Sequence, residues 1–375
     1  MMRINSEFCG GAIEVVQAEI ASNIKLKIPK DNQSCTRQWF YFSLETSQPT
    51  AHHIALLNAG QVSFQNAWDG YEVFVSYDNE HWFTVATRFD GESLSIEHDA
   101  TSTTTYYAYF VPYPLNRQAQ QEKRLLEQSH IHMNSLVTTA SGNNLNLLTI
   151  GDIAPHKKNV WLIARQHPGE SMAQWISEGI THALSNKGQF ASLFDVANVF
   201  VVMNMNPDGS QIGNHRTNAL GKNLNRCWSE PSVESCPEVF AVQQAMSEYG
   251  VDFFVDIHGD ESIPYNFIMS FGSGDEGEVF KQRLAKLEPH FQLAYDYATY
   301  ANSCTSGCGT SSCSQGKTAT TYVAQAFDAV SLLLEASFKP LQNRPQGEAW
   351  DHHACRELGQ NLVQSLADHF KRNSN

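Results

Sequence analysis

The sequence predicts an α/β fold, built on a mixed, largely parallel sheet flanked by helices and preceded by an all-β sandwich domain. In residues 1–112, short β-branched and aromatic runs are separated by Gly, Asn, Asp and Pro, and no helical period persists. Pro112-Tyr-Pro114 ends this pattern. From Leu145 onward, apolar strand patterns alternate with helical ones, which is typical of a sheet covered on both faces. We therefore expect one domain over residues 1–112 and a second over residues 113–375.

The N-terminal domain shows strands but no catalytic combination of residues. Its clearest strand patterns are Trp39–Leu44, His53–Asn58, Glu72–Tyr77 and Tyr106–Val111. We expect His52, His53 and His98 to be surface or hydrogen-bonded polar residues. Trp68 and Trp82 leave a carbohydrate-binding module as the alternative to a partner that supports folding or directs substrate to the second domain.

The second domain begins with a predicted helix that has a charged face, over Arg117–Glu127. Four strands are predicted after it, over Asn159–Arg165, Asn198–Asn204, Asp252–Ile257 and Ala329–Ala336. Helices are predicted over Ser171–Asn186, Ser235–Tyr249, Asp275–Leu287, Thr320–Phe327 and Gly347–Arg372. In folds of this kind the active site lies at the carboxyl ends of the strands.

Composition restricts the partners of this chain. The formal net charge is −14, with 25 Lys and Arg against 39 Asp and Glu, which argues against nucleic acid and anionic membrane as partners. No apolar run resembles a secretion signal or a membrane span, so we expect a cytoplasmic protein. The oligomeric state is left open.

The eight cysteines are scattered, and without a secretion signal most are expected to be reduced thiols. Cys304, Cys308 and Cys313 lie close together in a Ser/Thr/Gly-rich segment. A second metal site or a redox pair is one interpretation of this group. A loop near the active site that happens to contain thiols is favoured, because the spacing matches no zinc motif.

The main chemical signal is His167-Pro-Gly-Glu170, which directly follows the apolar run Trp161–Ala164. Residues in a strand-to-helix turn can direct an imidazole and a carboxylate to one point. Far downstream, the apolar run Val251–Ile257 ends in a second histidine, His258. Two imidazoles and a carboxylate with an open fourth position make a catalytic zinc site. The motif His-x-x-Glu alone is common by chance, so the neighbouring motifs matter.

Two arginines and one glutamate complete the pattern. Arg216 and Arg226 lie in a Gly- and Asn-rich segment after an apolar strand, where a guanidinium could receive a carboxylate or an oxyanion. A solvated surface loop is the alternative for each arginine. Glu335 stands alone among apolar residues in Ser331–Phe338. A carboxylate there is either part of an ion pair or a functional acid or base.

The ordered series His-Pro-Gly-Glu, Asn-Pro-Asp-Gly, Arg…Asn-Leu-Asn-Arg, Asp-Ile-His-Gly and Leu-Glu-Ala-Ser-Phe resembles the zinc carboxypeptidase family. It is most similar to the cytosolic carboxypeptidase branch, which includes bacterial members with an N-terminal β-domain. The resemblance covers residues 115–375 by motif and implies the zinc carboxypeptidase fold. It implies one zinc ion held by His167, Glu170 and His258, with Glu335 as the general base that activates a zinc-bound water.

The resemblance also assigns the substrate contacts. Arg216 would stabilise the tetrahedral oxyanion, and Asn225 and Arg226 would hold the terminal carboxylate. The implied substrate is the C-terminus of a peptide or protein tail. Some members of the branch remove acidic residues, and a cationic pocket would bind such residues. The candidate pocket segment of this chain, Gly316–Thr321, contains one cationic residue, Lys317.

The chain departs from the family at several positions. Asn223 replaces an aspartate that would hold the first zinc histidine, and an asparagine carbonyl could still accept that hydrogen bond. Digestive relatives have an arginine immediately before the motif glutamate. This chain has Gly169 there, as the cytosolic branch does. The family's substrate-capping tyrosine would fall near Cys313, where there is none. Tyr297, Tyr300 and Tyr322 are the candidates, and Tyr322 is expected to pack on a helix.

Two other functions remain as alternatives. An aspartoacylase-like zinc deacylase shares the metal motif and the arginines, but it usually places its β-domain after the catalytic domain. A non-catalytic binding protein on the same fold should have lost a metal ligand or the general base. This chain retains all four of these residues, which are His167, Glu170, His258 and Glu335.

Overall fold

The computed structural model describes residues 2–303, 316–344 and 348–372. The strands of the N-terminal domain are β1 Arg3–Asn5, β2 Glu14–Gln17, β3 Ile24–Lys27, β4 Tyr41–Glu45, β5 Ala51–Leu56, β6 Glu72–Ser76, β7 Trp82–Phe89, β8 Leu94–Asp99 and β9 Thr104–Ala108. The strands of the second domain are β10 Ile131–Thr138, β11 Asn144–Ile150, β12 Lys158–Ala164, β13 Ala197–Val202, β14 Phe253–Asp260, β15 Phe267–Phe271 and β16 Val330–Ser337.

All the α-helices of the described residues belong to the second domain. They are α1 Leu115–Leu125, α2 Ser171–Ser185, α3 Ala191–Phe194, α4 Pro207–Ile212, α5 Pro237–Tyr249, α6 Glu276–Leu287, α7 Tyr297–Ser303, α8 Ala319–Phe327 and α9 His352–Arg372. Short 3-10 helices cover Ala59–Gln61, Gln65–Trp68 and Leu224–Arg226. Within the part of the chain that the structure describes, none of the helices has the length and apolarity needed to cross a membrane.

The N-terminal domain has the predicted sandwich form. One layer has the order β1-β4-β9-β6 and the other β8-β5-β3-β2, and β7 joins them. The first half of β7 pairs with β6 and its last three residues pair with β8. Trp68 is buried, and its indole N–H donates to the Ala59 carbonyl. Trp68 therefore belongs to the core, which weakens the carbohydrate-binding alternative.

Two histidines of this domain are buried between its layers. His52 on β5 and His98 on β8 both contact the hydroxyl of Tyr107 on β9, with Nδ1 to Oη distances of 2.7 and 2.8 Å. His98 Nε2 lies 3.0 Å from the hydroxyl of Tyr77. Both are thus hydrogen-bonded polar residues, one of the two expected outcomes, whereas His53 is exposed.

The second domain is built on a mixed seven-stranded sheet in the order β10-β11-β13-β12-β14-β16-β15. The central four strands are parallel and the strands at both edges are antiparallel. Along β12, Val160 and Leu162 face the core under α2 and α9, whereas Trp161 and Ile163 face the core that includes α5 and α8. Because both faces are buried, the central strands are apolar nearly throughout.

The predicted helices and strands are present, and the differences lie at their ends. Strand β14 continues to Asp260, so His258 lies within a strand rather than after it. Pairing with a distant part of the chain extends the strand, because β14 pairs with β16 as far as Asp260 and Ser337. Helix α9 begins at His352 rather than Gly347. The Asp351 carboxylate accepts main-chain N–H groups from its first turn and fixes this start.

Cys227 and Cys236 depart from the expectation of reduced thiols, because a disulfide joins them. This bond connects the end of the 3-10 helix at residues 224–226 to the start of α5. Among the described residues, Cys9, Cys35 and Cys355 are free thiols. Cys304, Cys308 and Cys313 lie outside the described residues.

Candidate active site

The turn that carries the first metal motif is fixed by a buried arginine. Strand β12 ends at Ala164, and Arg165 takes a left-handed conformation with φ of 60°. Its guanidinium donates to the carbonyls of Pro168 and Tyr113, each at 2.8 Å, and to the Gln174 side chain. The turn is therefore held from inside the protein before α2 begins at Ser171.

His167, Glu170 and His258 come together, as the sequence predicts for a metal site. His167 Nδ1 lies 2.6 Å from Glu170 Oε1 and 3.2 Å from His258 Nδ1. His258 Nδ1 lies 2.9 Å from Glu170 Oε2. All three side chains are buried. No other group of three or more potential metal ligands occurs in the described part of the chain.

Contacts on the far side of each imidazole decide which nitrogen faces this centre. His167 Nε2 lies 3.0 Å from Asn223 Oδ1, and His258 Nε2 lies 3.0 Å from Asp256 Oδ2. Both oxygens only accept hydrogen bonds, so a proton on each Nε2 satisfies them and would leave the lone pair of each Nδ1 for a metal ion held together with Glu170. The side-chain oxygen of Asn223 thus contacts the first histidine of the motif, as the sequence analysis considered possible.

Asp256 is a candidate positioning residue that the sequence analysis did not name. It stands two residues before His258 on β14, and alternation along a strand places both on one face. This Asp-x-His spacing was the available signal. The Asp256 carboxylate also accepts from Gln166 at 2.7 Å, and Gln166 accepts from the Trp228 indole at 2.9 Å.

Burial and mutual contacts shift the pKa of each of these three side chains. Burial, and then the nearby Arg216, lower the pKa of His167 to about 3, so this imidazole is neutral. Burial also disfavours a charged His258, but the carboxylates of Asp256 and Glu170 outweigh it and raise the pKa. The two imidazoles hold the pKa of Glu170 below its usual value despite burial. Two imidazole nitrogens and a carboxylate fit zinc.

Glu335 lies beside this centre because of strand register. In the parallel pair β14 and β16, Glu335 is the direct partner of His258. Its side chain is buried, and its Oε2 has no hydrogen-bond partner among the described residues. Burial raises the pKa of Glu335 well above its usual range, although the neighbouring His258 partly opposes this. The family resemblance implies that Glu335 lies near His167, Glu170 and His258. The register of β14 and β16 explains how Glu335 comes to lie beside His258.

Tyr297 contacts Glu335 directly. Its hydroxyl donates to Glu335 Oε1 at 2.8 Å, while the side chain as a whole is 40% exposed. Tyr322 instead packs on the rings of Trp228 and Phe327, as expected for a residue of helix α8. Tyr297 is therefore a capping candidate that reaches Glu335.

The two predicted arginines are partly buried and close enough to influence each other. Burial, and then Arg216, lower the pKa of Arg226. Arg216 also lowers the pKa of His167, so its guanidinium lies within electrostatic reach of both the His-Glu-His centre and Arg226. Two neighbouring guanidinium groups form a receptor for anionic groups.

The side chain of Asn225, predicted to hold the substrate carboxylate, already contacts other groups of the protein. Its Oδ1 accepts the main-chain N–H of Ala319 at 2.9 Å, and its Nδ2 lies 3.3 Å from His258 Nε2. Its backbone carbonyl accepts from Arg226 Nη1 at 2.7 Å. Asn225 therefore fixes the orientation of Arg226 as well as lining the site.

Lys317 does not point to the metal centre. Its Nζ donates to Gln325 at 2.7 Å on an exposed face of helix α8. Among the described residues of the candidate pocket segment, no cation is therefore directed at the site.

Comparisons with known proteins agree with this geometry. A family model for the cytosolic carboxypeptidase N-terminal domain matches residues 4–110, and one for zinc carboxypeptidase matches residues 118–337. A protein of Zymomonas mobilis is 35% identical over 98% of this chain and 96% of its own length.

Solved structures with the same fold cover nearly the whole chain. A metallo-carboxypeptidase from Burkholderia cenocepacia has 36% identity and a TM-score of 0.91, over 99% of this chain and 100% of its own. A metallo-carboxypeptidase from Pseudomonas aeruginosa, solved in complex with (2-guanidinoethylmercapto)succinic acid, has 34% identity and a TM-score of 0.88, over 98% of this chain and 99% of its own. From the family models and these matches along its whole length, the chain is an enzyme that belongs to the zinc carboxypeptidase family.

Proposed function

We propose that this enzyme hydrolyses the C-terminal peptide bond of peptides or protein tails. The observation that supports this most is the position of Glu335, which lies in register with His258 and beside a buried His-Glu-His centre. The two arginines that influence each other beside that centre can bind an anionic chain end, which an exopeptidase must recognise. A cytoplasmic location, suggested by the match to the cytosolic carboxypeptidase N-terminal domain, is part of the proposal.

His167, Glu170 and His258 would hold one zinc ion per chain. When bound, zinc supplies a Lewis acid that polarises the scissile carbonyl and makes a water molecule more acidic. Asn223 and Asp256 hold the two imidazoles from behind, which orients both Nδ1 atoms and increases their basicity.

Glu335 would act as the general base. Its unpartnered Oε2 can take a proton from the attacking water and pass it to the departing amine. Tyr297, through its hydrogen bond to Oε1, fixes the carboxylate and would cap the bound substrate.

The arginines would bind the anionic parts of the substrate. Arg216, which is within electrostatic reach of His167, would stabilise the oxyanion that forms at the scissile carbon. Arg226, supported by the carbonyl of Asn225, would receive the terminal carboxylate. The Pseudomonas aeruginosa relative was solved with a guanidino derivative of succinic acid, and a carboxylate of such a compound could occupy the same receptor here.

A substrate screen tests the proposal against the alternative. Zinc-loaded enzyme is incubated with peptides that differ at the C-terminal residue and with N-acyl amino acids, and products are identified by mass spectrometry. Release of single C-terminal amino acids from peptides supports carboxypeptidase action. Turnover of N-acyl amino acids without any peptide shortening would instead support the aspartoacylase-like deacylase.

A further inference from the structure

The segment that carries Arg216 lies between the two domains. Residues 213–219 follow helix α4 and contain no regular helix or strand. On the side of the metal site, the Gly169 N–H donates to the His215 carbonyl at 2.8 Å. A Cβ atom at Gly169 would lie 2.5 Å from His215 Nδ1, so only glycine permits this close approach. The position of the segment is therefore coupled to the metal-binding turn.

On the other side, Asp31 of the N-terminal domain binds the main chain around Arg216. The Asp31 carboxylate accepts the consecutive N–H groups of His215, Arg216 and Thr217 at 2.7, 2.8 and 3.0 Å. It also accepts from the Thr217 hydroxyl at 3.2 Å, and Asp31 itself is only 6% exposed. Hydrogen bonds to a buried carboxylate are roughly twice as strong as those between neutral groups.

Further contacts from the same domain hold both ends of this segment and the arginine side chain. Asn32 donates its main-chain N–H to Asn214 Oδ1 at 3.1 Å and its side-chain amide to the Ala219 carbonyl at 2.6 Å. The guanidinium carbon of Arg216 lies 5.5 Å from the centre of the Phe64 ring. The N-terminal domain thus contacts the arginine through its backbone and through its side chain.

We propose that Asp31 is a positioning residue for Arg216, and that the N-terminal domain thereby completes the catalytic site. The inference rests on the proposed function, in which Arg216 stabilises the oxyanion. Such stabilisation requires a donor that is fixed before the reaction begins. An arginine in an irregular segment has no helix or strand to fix it, and Asp31 supplies that constraint.

A purely structural role for Asp31 would have different consequences. Other contacts already join the two domains, including the bond from Lys339 Nζ to the Asn66 carbonyl at 2.7 Å and that from the Gly10 N–H to the Gln211 carbonyl at 2.9 Å. Neither involves residues 213–219. Loss of Asp31 should therefore disturb Arg216 more than it disturbs the attachment of the domains.

The test is a double-mutant cycle on the zinc-loaded, full-length enzyme. Asp31→Ala is made in the wild-type and in the Arg216→Ala background, and kcat, KM and zinc content are measured. Asp31→Asn and Phe64→Leu are included in case Asp31→Ala does not fold. Asp90→Ala is the matched control, because Asp90 also accepts two main-chain N–H groups, but in an exposed turn within the N-terminal domain.

Removing one oxyanion donor from an enzyme costs about 10²–10³ in kcat, so displacing it should cost roughly tenfold or more. We expect this loss for Asp31→Ala and Asp31→Asn, a smaller one for Phe64→Leu and none for Asp90→Ala, with zinc content and KM nearly unchanged. In the Arg216→Ala background, Asp31→Ala should cost nothing further. An equal loss of kcat in both backgrounds, or full activity of Asp31→Asn, overturns the inference.

A crystal structure of Asp31→Asn provides a readout that does not depend on activity. We expect the Arg216 guanidinium to leave the Phe64 ring in that variant, and an unchanged arginine overturns the inference. A wild-type enzyme that shortens no peptide contradicts the proposed function instead. The two failures are thereby distinguishable.

Discussion

At the scale of single residues, the candidate metal site includes groups behind the three potential ligands. Asn223 and Asp256 can each accept a hydrogen bond from the Nε2 of one histidine, while both Nδ1 atoms face Glu170. Asn223 is neutral where many relatives have an aspartate, so the two histidines are supported unequally. The carboxylate of Asp256 makes His258 the more basic ligand of the two.

The first prediction concerns His258. Replacing it by alanine removes one of three ligands and leaves Asp256 buried without its imidazole partner, so zinc binding should be largely lost. Wild-type protein purified without chelator should contain about one equivalent of zinc by elemental analysis, and His258→Ala much less. The exposed His53 is a matched control, since His53→Ala should keep its zinc. Full zinc occupancy in His258→Ala would refute the ligand assignment.

The second prediction concerns Glu335. A glutamine keeps the shape of the side chain but cannot accept a proton, so Glu335→Gln should lower kcat by roughly 10²–10⁴-fold. Its zinc content should stay at the wild-type level, because Glu335 is not among the three ligands. Glu278 on α6 is exposed and serves as the control for a Glu-to-Gln change. A fully active Glu335→Gln would place the base elsewhere.

The sequence predicted these residues because each follows or interrupts an apolar strand, where a polar side chain is conspicuous. Asp256 and Tyr297 were harder to assign. Asp256 is one of two aspartates in the otherwise apolar run Val251–Ile257, and apart from its spacing to His258 nothing in the local sequence distinguishes it from Asp252. Tyr297 begins a short helix whose placement over Glu335 is decided by tertiary packing.

At the scale of secondary-structure elements, the register between β14 and β16 creates the site. Paired residues of neighbouring strands point to the same face, so His258 and Glu335 are brought together by eight residue pairs. The apolar patterns predict both strands, but they do not predict which strands become neighbours or in what register. Those features depend on contacts between distant parts of the chain, and the same contacts extended β14 beyond its apolar run.

The third prediction concerns the contact of β5 and β8 with β9 in the N-terminal domain, made by His52, His98 and Tyr107. Burial, and then His98, lower the pKa of His52 to about 4, and burial lowers that of His98 as well. In an unfolded chain these histidines titrate near 6.5. The folded state therefore binds protons less tightly, and its stability is complete above pH 6.5 and is lost as the pH falls towards 4.

The measurement is the free energy of unfolding between pH 7 and pH 4.5. Each pKa unit corresponds to about 1.4 kcal/mol, so His52 contributes a loss on the order of 2 kcal/mol over this range. His52→Phe removes the titrating group and should reduce the acid-induced loss, whereas the exposed His53→Phe should not. Parallel pH curves for His52→Phe and wild type would contradict this account.

At the scale of the whole molecule, the two domains form one functional unit. The sequence predicted their order and classes from the change of pattern at Pro112-Tyr-Pro114. It gave no sign of the contact between Asp31 and the Arg216 segment. An aspartate between Lys30 and Asn32 looks like an ordinary turn residue, and its partners lie far away in the chain. Long-range hydrogen bonds of this kind leave no local pattern.

The central claim is that Arg226, supported by Asn225, recognises a free terminal carboxylate. Amidating the C-terminus of a substrate removes the charge-assisted contact and leaves the arginine without its partner. Hydrogen bonds to charged groups contribute about 1.5–3 kcal/mol, so kcat/KM of the wild-type enzyme should fall about tenfold or more. Arg226→Ala should discriminate far less between the two ends, and Arg88→Ala, a change in an exposed strand of the N-terminal domain, should behave as wild type.

The most direct test is therefore the ratio of kcat/KM for one peptide with a free and with an amidated C-terminus, measured on wild type and Arg226→Ala. The account predicts a ratio of about ten or more for wild type and a ratio near one for Arg226→Ala. Equal cleavage of the two peptides by the wild-type enzyme would contradict carboxypeptidase action and would favour hydrolysis of acyl amides.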